Sequence, residues 1–265
     1  MFLVENKLVP NRSRARGEIM AGNVYVNDVK KDKPGFLVSL ISKVEVRGKS
    51  NPYVSRGGLK LEKALQIFPV SVEGKIVLDI GASTGGFTHC ALEHGAAKVV
   101  ALDVGYGQLD WKLRNHADVE TMERFNVRYL KKEDLPFLPQ LATVDVSFIS
   151  LELVLPVLFS LNVEEIIALV KPQFEASPER VGKKGVIRDI NVHKEILDKM
   201  VNISIKYNYT FQGLTYSPLK GPQGNIEYLV YLKRSQSGRD NIICDDLKTS
   251  SLIDNIVQEA HRQLN

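Results

Sequence analysis

The chain has 265 residues, 44% of them apolar and 25% charged, which leaves room for one large and one small globular domain. Cys90 and Cys244 have neither metal-ligand nor disulfide-framework spacing, and five scattered histidines add no cluster, so no metal is expected and the chain reads as cytoplasmic. The most apolar run, 151–161, is broken by Glu152, Pro156 and Ser160 and falls short of the ~18 residues of a membrane span, so no membrane partner is expected.

The net charge of +4 is unevenly spread: residues 1–60 carry 12 Lys+Arg against 5 Asp+Glu. A localised basic face is the footprint of a phosphate-backbone binder. Within it, 2–9 has a short helical pattern, and 12–22 reads as a second helix with Asn11 as N-cap and Gly22 as C′ residue. Arg12, Arg14 and Arg16 fan round its first turns, so at least two should reach solvent. Val24 to Val29 alternates into an Asn-Asp turn, followed by basic Lys30-Lys31-Asp32-Lys33-Pro34-Gly35 and a second strand set over 37–46. A module of about fifty residues is near the lower limit for independent stability. Residues 1–48 are expected to form this domain, with 49–54 as a polar linker.

The stretch Ser55-Arg56-Gly57-Gly58-Leu59-Lys60-Leu61 then opens a helix whose apolar positions 61, 64, 65 and 68 point inward. Lys60 lies in its first turn, where its charge opposes the helix dipole and local stability gains nothing from it. Next, a short apolar strand, 75–80, runs into Gly81-Ala82-Ser83-Thr84-Gly85-Gly86-Phe87-Thr88. The dinucleotide fingerprint needs glycine where Ser83 stands, which disfavours a pyrophosphate ligand. A glycine turn with Asp103 at the end of the next apolar run instead suits a cofactor with an amino-acid end and a ribose, S-adenosylmethionine. Gly81, Ser83, Thr84, Gly85, Gly86, Phe87 and Thr88 are the candidates around its methionine end, with Asp103 on the ribose and Asn126 near the adenine.

Further apolar runs at 99–104, 119–122, 141–146, 166–170, 211–216 and 228–232 bring the expected strands to seven. Helix-sized segments separate the first five, and a non-helical loop over 217–225 joins the last two as an antiparallel pair. The expected fold is α/β, a seven-stranded class I, Rossmann-like methyltransferase sheet with a small α+β domain in front. Ligands bind at the carboxyl ends of such strands. Asp145 closes the fourth strand, Lys171 follows the fifth, and an antiparallel last strand brings Glu227 to the same edge. With Lys60 they make a Lys-Asp-Lys-Glu set, which could alternatively be a structural ion-pair network.

The front segment resembles the S4-type RNA-binding domain, through Ile-Met-Ala-Gly-x-Val-x-Val-Asn at 19–27 and the basic turn that follows. The stretch from 53 to about 234 resembles the FtsJ-type ribose 2′-O-methyltransferases, whose tetrad matches Lys60, Asp145, Lys171 and Glu227. The whole chain is similar to the TlyA family, whose members carry both haemolysin and ribosomal RNA methyltransferase names. That likeness runs through 55–61, 79–88, 103–109, Asp145-Val146-Ser147-Phe148-Ile149-Ser150, Lys171-Pro172-Gln173-Phe174-Glu175 and 220–227. It implies methylation of cytidine ribose in 23S and, for some members, 16S ribosomal RNA, with ribosomal subunits as partners. Lys171 is then the candidate proton acceptor, Asp145 positions it, and Lys60 with Glu227 orients the ribose. Arg12, Arg14, Arg16, Lys30, Lys31 and Arg56 are the candidate RNA contacts. The methyltransferase domain is expected to span 55–235. Residues 236–265 form a tail after a break at 235–239, with an amphipathic stripe at 252, 253, 256, 257 and 260 that suits a docking helix. An inert RNA-binding protein, a membrane-lytic protein and a nicotinamide-dependent enzyme are the competing classes.

Overall fold

The computed structural model describes residues 1–9, 12–20, 22–47, 51–182, 185–235 and 246–264. Asn11, Cys244, residues 48–50 and positions 236–239 of the expected break lie outside the described residues. The chain divides into two compact units, Met1–Arg56 and Gly57–Asn265.

In the first unit, helices α1 (Phe2–Glu5) and α2 (Arg12–Met20) precede strands β1 (Val24–Val26), β2 (Val29–Lys31) and β3 (Val44–Val46). The strands form an antiparallel sheet in the order β2-β1-β3. Asn27 and Asp28 both adopt positive φ, +48° and +65°, the type I′ geometry that suits a two-residue hairpin. Leu3, Val9, Ala15 and Val24 form a small core against Ile19, Val44 and Val46. Two expectations are corrected. The first helix is a single turn rather than 2–9, because the chain reverses at Lys7 (φ +56°) to let Val9 reach the core. Of the strand expected over 37–46 only Val44–Val46 pairs, while Leu37, Leu40 and Ile41 stand exposed in a loop. Composition alone cannot make a strand where β1 offers only three residues of edge.

The second unit opens with α3 (Gly57–Ile67), which buries Leu61 and Ala64, with Leu65 half-buried and Phe68 buried just beyond its end. It continues through β4 (Ile76–Ile80), α4 (Gly86–Glu93), β5 (Lys98–Asp103), α5 (Trp111–Arg114), β6 (Val119–Glu123), β7 (Leu141–Val144), α6 (Leu155–Ser160) and β8 (Glu165–Val170). Then come α7 (Pro172–Glu175), α8 (Ile190–Lys206), β9 (Tyr209–Tyr216), β10 (Tyr228–Arg234) and α9 (Asp246–Leu264). The sheet order is β6-β5-β4-β7-β8-β10-β9, with β10 antiparallel to both its neighbours. Chain direction across the sheet reverses at β4, so the crevice between the carboxyl ends of β4 and β7 is the topological switch point at which ligands bind in such folds. β8 is buried along its whole length, as a strand covered on both faces must be. The stripe on α9 buries Ile253, Val257 and Ala260 in the main core, against α8 and β9. Among the described residues no helix is long and apolar enough to cross a membrane.

Candidate active site

The glycine turn leaves β4 in a backbone shape that side chains oppose. Gly81 and Gly85 take φ of +83° and +92°, and Ser83 takes +49°. An added Cβ at Gly81 would lie 2.6 Å from the carbonyl oxygen of Asp145. Asp145, one residue beyond β7, extends the ladder by donating its backbone N–H to the Ile80 carbonyl at 2.9 Å. The turn and the first acidic member of the tetrad are therefore in direct contact.

Asp103 is the last residue of β5, and its carboxylate accepts from Ser83 N at 2.8 Å and from Gly105 N at 2.7 Å. A carboxylate has about four acceptor positions, so these two bonds leave capacity for a pair of hydroxyls. Phe125 N donates to the Asp103 carbonyl, which brings the Asn126 loop alongside, while the Asn126 side chain accepts from Arg128 N. Ser83 and Thr84 are exposed on the rim, whereas Phe87 and Thr88 are buried. Thr88 Oγ1 donates to Asp79 Oδ2 at 2.6 Å, and Thr143 Oγ1 donates to Asp79 Oδ1 at 3.0 Å. Asp79 thus braces β4 to α4 and β7 from inside, and its burial lifts its pKa to about 6.

The four sequence-predicted polar residues converge. Lys60 Nζ donates to Glu227 Oε2 at 2.7 Å and lies 3.7 Å from Asp145 Oδ2. Lys171 Nζ lies 2.6 Å from Asp145 Oδ1 and donates to Ser147 Oγ at 3.0 Å. A continuous line, Glu227, Lys60, Asp145, Lys171, Ser147, is drawn from α3 and from the ends of β7, β8 and β10. Burial works against the charge of Lys60, but Asp145 and Glu227 outweigh it and hold its pKa above the ordinary lysine value. Lys60 is therefore an ammonium at neutral pH.

Three neighbours carry weight that sequence reasoning did not give them. Phe148 is 88% exposed, holds φ at +63°, and sits 4.9 Å centroid to centroid from Phe174. A bulky residue with positive φ is a strained one. Buried Glu175 accepts from Ser150 Oγ at 2.6 Å and Leu151 N at 2.8 Å, fixing the loop that carries Ser147 and Phe148. Ser147 itself completes the line. The motifs 145–150 and 171–175 contained all three, but only the contact between the two motifs shows what they do.

In the first unit, Arg12, Arg16, Lys30 and Arg56 are exposed. Lys31 lies over the Phe36 ring at 4.3 Å. Arg14 is held by buried Glu18 at 2.8 Å, so it presents less charge to solvent than its sequence neighbours.

Residues 53–234 match the FtsJ-like methyltransferase family, and residues 1–40 match the S4 domain. The chain is 49% identical over 267 residues to the Bacillus subtilis protein named "Putative rRNA methyltransferase YqxC", which covers 100% of this chain and 94% of that one. It is 41% identical over 240 residues to the Mycobacterium tuberculosis protein named "16S/23S rRNA (cytidine-2'-O)-methyltransferase TlyA", with 89% of each chain covered. The solved structure named "Putative hemolysin from Streptococcus thermophilus" superposes with a TM-score of 0.78 at 41% identity, covering 99% of this chain and 94% of that one. With an S4 match ahead of a seven-stranded methyltransferase sheet, and relatives this similar along nearly their whole length, the chain belongs to the FtsJ-like methyltransferases, in the TlyA family.

Proposed function

We propose that the protein transfers a methyl group from S-adenosylmethionine to a cytidine ribose 2′-hydroxyl in ribosomal RNA, with 23S RNA as the first substrate to test and 16S RNA as the second. The observation that carries the reading is the unbroken line Glu227, Lys60, Asp145, Lys171, abutting the glycine turn through Asp145 and Gly81. The M. tuberculosis relative carries the same activity in its name.

The cofactor fits the residues present. Gly81 to Gly86 make a close-approach rim for an amino-acid end, Asp103 has acceptor capacity for two ribose hydroxyls, and Asn126 stands on the adjoining loop. The cofactor supplies a methyl already activated by its sulfonium, so the protein's task is to align the attacking oxygen and remove its proton. Phe87 and Thr88 act from beneath, as packing for the turn.

Lys171 takes the proton. In its amine form Nζ has two hydrogens and one lone pair; with one hydrogen on Ser147 Oγ and the Asp145 carboxylate 2.6 Å away, the lone pair is left for the 2′-hydroxyl. Asp145 positions that amine. Lys60, kept cationic by Asp145 and Glu227, is placed to draw the ribose and its phosphate, and Glu227 fixes Lys60. Phe148 offers an exposed ring for the target base.

The S4 unit supplies general RNA affinity through Arg12, Arg16, Lys30 and Lys31, with Arg14 behind them; residues 49–54 connect it to the methyltransferase domain, where Arg56 adds a further contact. Such a substrate places the work in the cytoplasm, on ribosomal subunits. The test is incubation with radiolabelled S-adenosylmethionine and unmethylated large subunits, small subunits and intact ribosomes, beside a Lys171→Ala control. Label in one subunit's RNA, absent with the control, is the expected result.

A further inference from the structure

A polar cavity lies against Ile226, the residue before Glu227. It encloses about 200 Å³ and is bounded by Arg188, Lys220, Gln223, Gly224, Ile226 and His261 among others, with no carboxylate among the described residues that line it. Its three basic groups come from three parts of the chain: the loop before α8, the loop between β9 and β10, and α9. Buried Asn225 fixes the two loops to each other, accepting from Ile187 N at 3.0 Å and donating to the Gly185 carbonyl at 2.7 Å. The walls are therefore held by the protein before anything binds.

The floor is held as firmly. His193 Nε2 donates to the Ile187 carbonyl at 3.1 Å and its Nδ1 accepts from the Tyr228 hydroxyl at 2.7 Å. His261 Nε2 lies 3.4 Å from the same His193 nitrogen, which couples α9 to the start of β10. Burial, and then the nearby charge of Lys220, oppose protonation of His261. An anion seated in the cavity would oppose both effects on His261.

The cavity belongs to the same edge of the sheet as the tetrad. Ile226 directly precedes Glu227, and a Cβ on Gly221, the residue after Lys220, would lie 2.6 Å from Glu227 Oε1. We propose that this cavity holds a backbone phosphate of the substrate RNA, one that flanks the reacting nucleotide, with Arg188 and Lys220 as the charged contacts and His261 and Gln223 as hydrogen-bond donors. This rests on the reading of the protein as an RNA methyltransferase. Phosphate contacts set register without reading sequence, and a phosphate fixed here would align the ribose against Lys171.

The test is equilibrium binding of ribosomal RNA to the full chain across a series of KCl concentrations, for the wild type, Arg188→Gln, Lys220→Gln, Lys220→Arg and Lys206→Gln. Lys206 ends α8, which returns the chain to the opposite edge of the sheet, so it serves as a charge-matched control. Thermal melts confirm that each variant is folded. The expected result is that each glutamine variant of the cavity weakens binding about fivefold to tenfold and lowers the slope of log K against log salt by about one. Lys220→Arg and Lys206→Gln should match the wild type. Because binding is read without methyl transfer, failure of the methylation reading remains distinguishable. Cavity variants with wild-type affinity and slope, or a wild-type protein that binds no RNA, would overturn the proposal. So would stabilisation by inorganic phosphate over chloride at equal ionic strength with RNA affinity unchanged in the variants, which would assign the cavity to a free anion.

Discussion

Gly81 and Asp145 touch backbone to backbone, so closely that an alanine methyl at 81 would lie 2.6 Å from the Asp145 carbonyl oxygen. The cofactor rim and the tetrad are thus one mechanical unit. With φ at +83° as well, Gly81→Ala meets two penalties together, about 1–3 kcal/mol for the backbone alone. Expected are a melting temperature several degrees lower, weaker S-adenosylmethionine binding in calorimetry and at least a tenfold slower methyl transfer. Unchanged affinity and rate would show that the turn and Asp145 are independent.

Asp79 gives the fold a pH dependence of defined sign. Burial raises its pKa from 3.8 to about 6, so the folded state holds the proton more tightly than the unfolded one. Its stabilising contribution is fully present below about pH 3.8 and is lost as pH rises through about 6, a change on the order of 3 kcal/mol. Asp79→Asn carries no charge, and its amide can accept from one of the Thr88 and Thr143 hydroxyls and donate to the other. Urea unfolding at pH 4, 5, 6 and 7 should therefore show the variant gaining on the wild type as pH rises. Parallel curves would contradict the assignment.

Lys171→Ala removes the proton acceptor while leaving the glycine rim and Asp103 in place. Turnover should fall by at least about 100-fold, with cofactor affinity within twofold of wild type. Lys171→Arg should not restore it, because a guanidinium does not give up its proton at any working pH. Single-turnover rates beside calorimetric cofactor titrations separate the two effects, and joint loss of binding and rate would remove Lys171 from this role.

Phe148 is exposed, so Phe148→Ala should leave stability nearly unchanged. Base stacking on an aromatic ring is worth about 1–3 kcal/mol. The variant should raise KM for RNA or lower kcat/KM by roughly tenfold or more. A rate equal to wild type would make the ring a passive partner of Phe174.

Lys60, in the first turn of a helix, has no chain signal of its own, whereas Glu227 was legible as the charged residue just ahead of the antiparallel last strand, and Asp145 and Lys171 as the charged residues at which apolar runs stop, on a sheet whose connections define which edge is shared. The glycine turn was legible for the same reason, since its φ values demand glycine at 81 and 85. What stayed hidden depends on contacts between distant segments. The bracing role of Asp79 is one such case, because the hydroxyls that hold its carboxylate lie 9 and 64 positions away. Leu37 to Ile41 has strand composition and no edge to pair with. The cavity of Arg188, Lys220 and His261 spans segments whose closeness no local pattern encodes. The positive φ of Phe148 could not be foreseen either, because nothing in its residue type favours that conformation.

Alkaline hydrolysis of labelled ribosomal RNA locates the transferred methyl. A methylated 2′-oxygen cannot attack its neighbouring phosphodiester, so that linkage survives alkali. Label is expected in an alkali-resistant dinucleotide that begins with cytidine. Label recovered in mononucleotides would place the methyl on a base and contradict it.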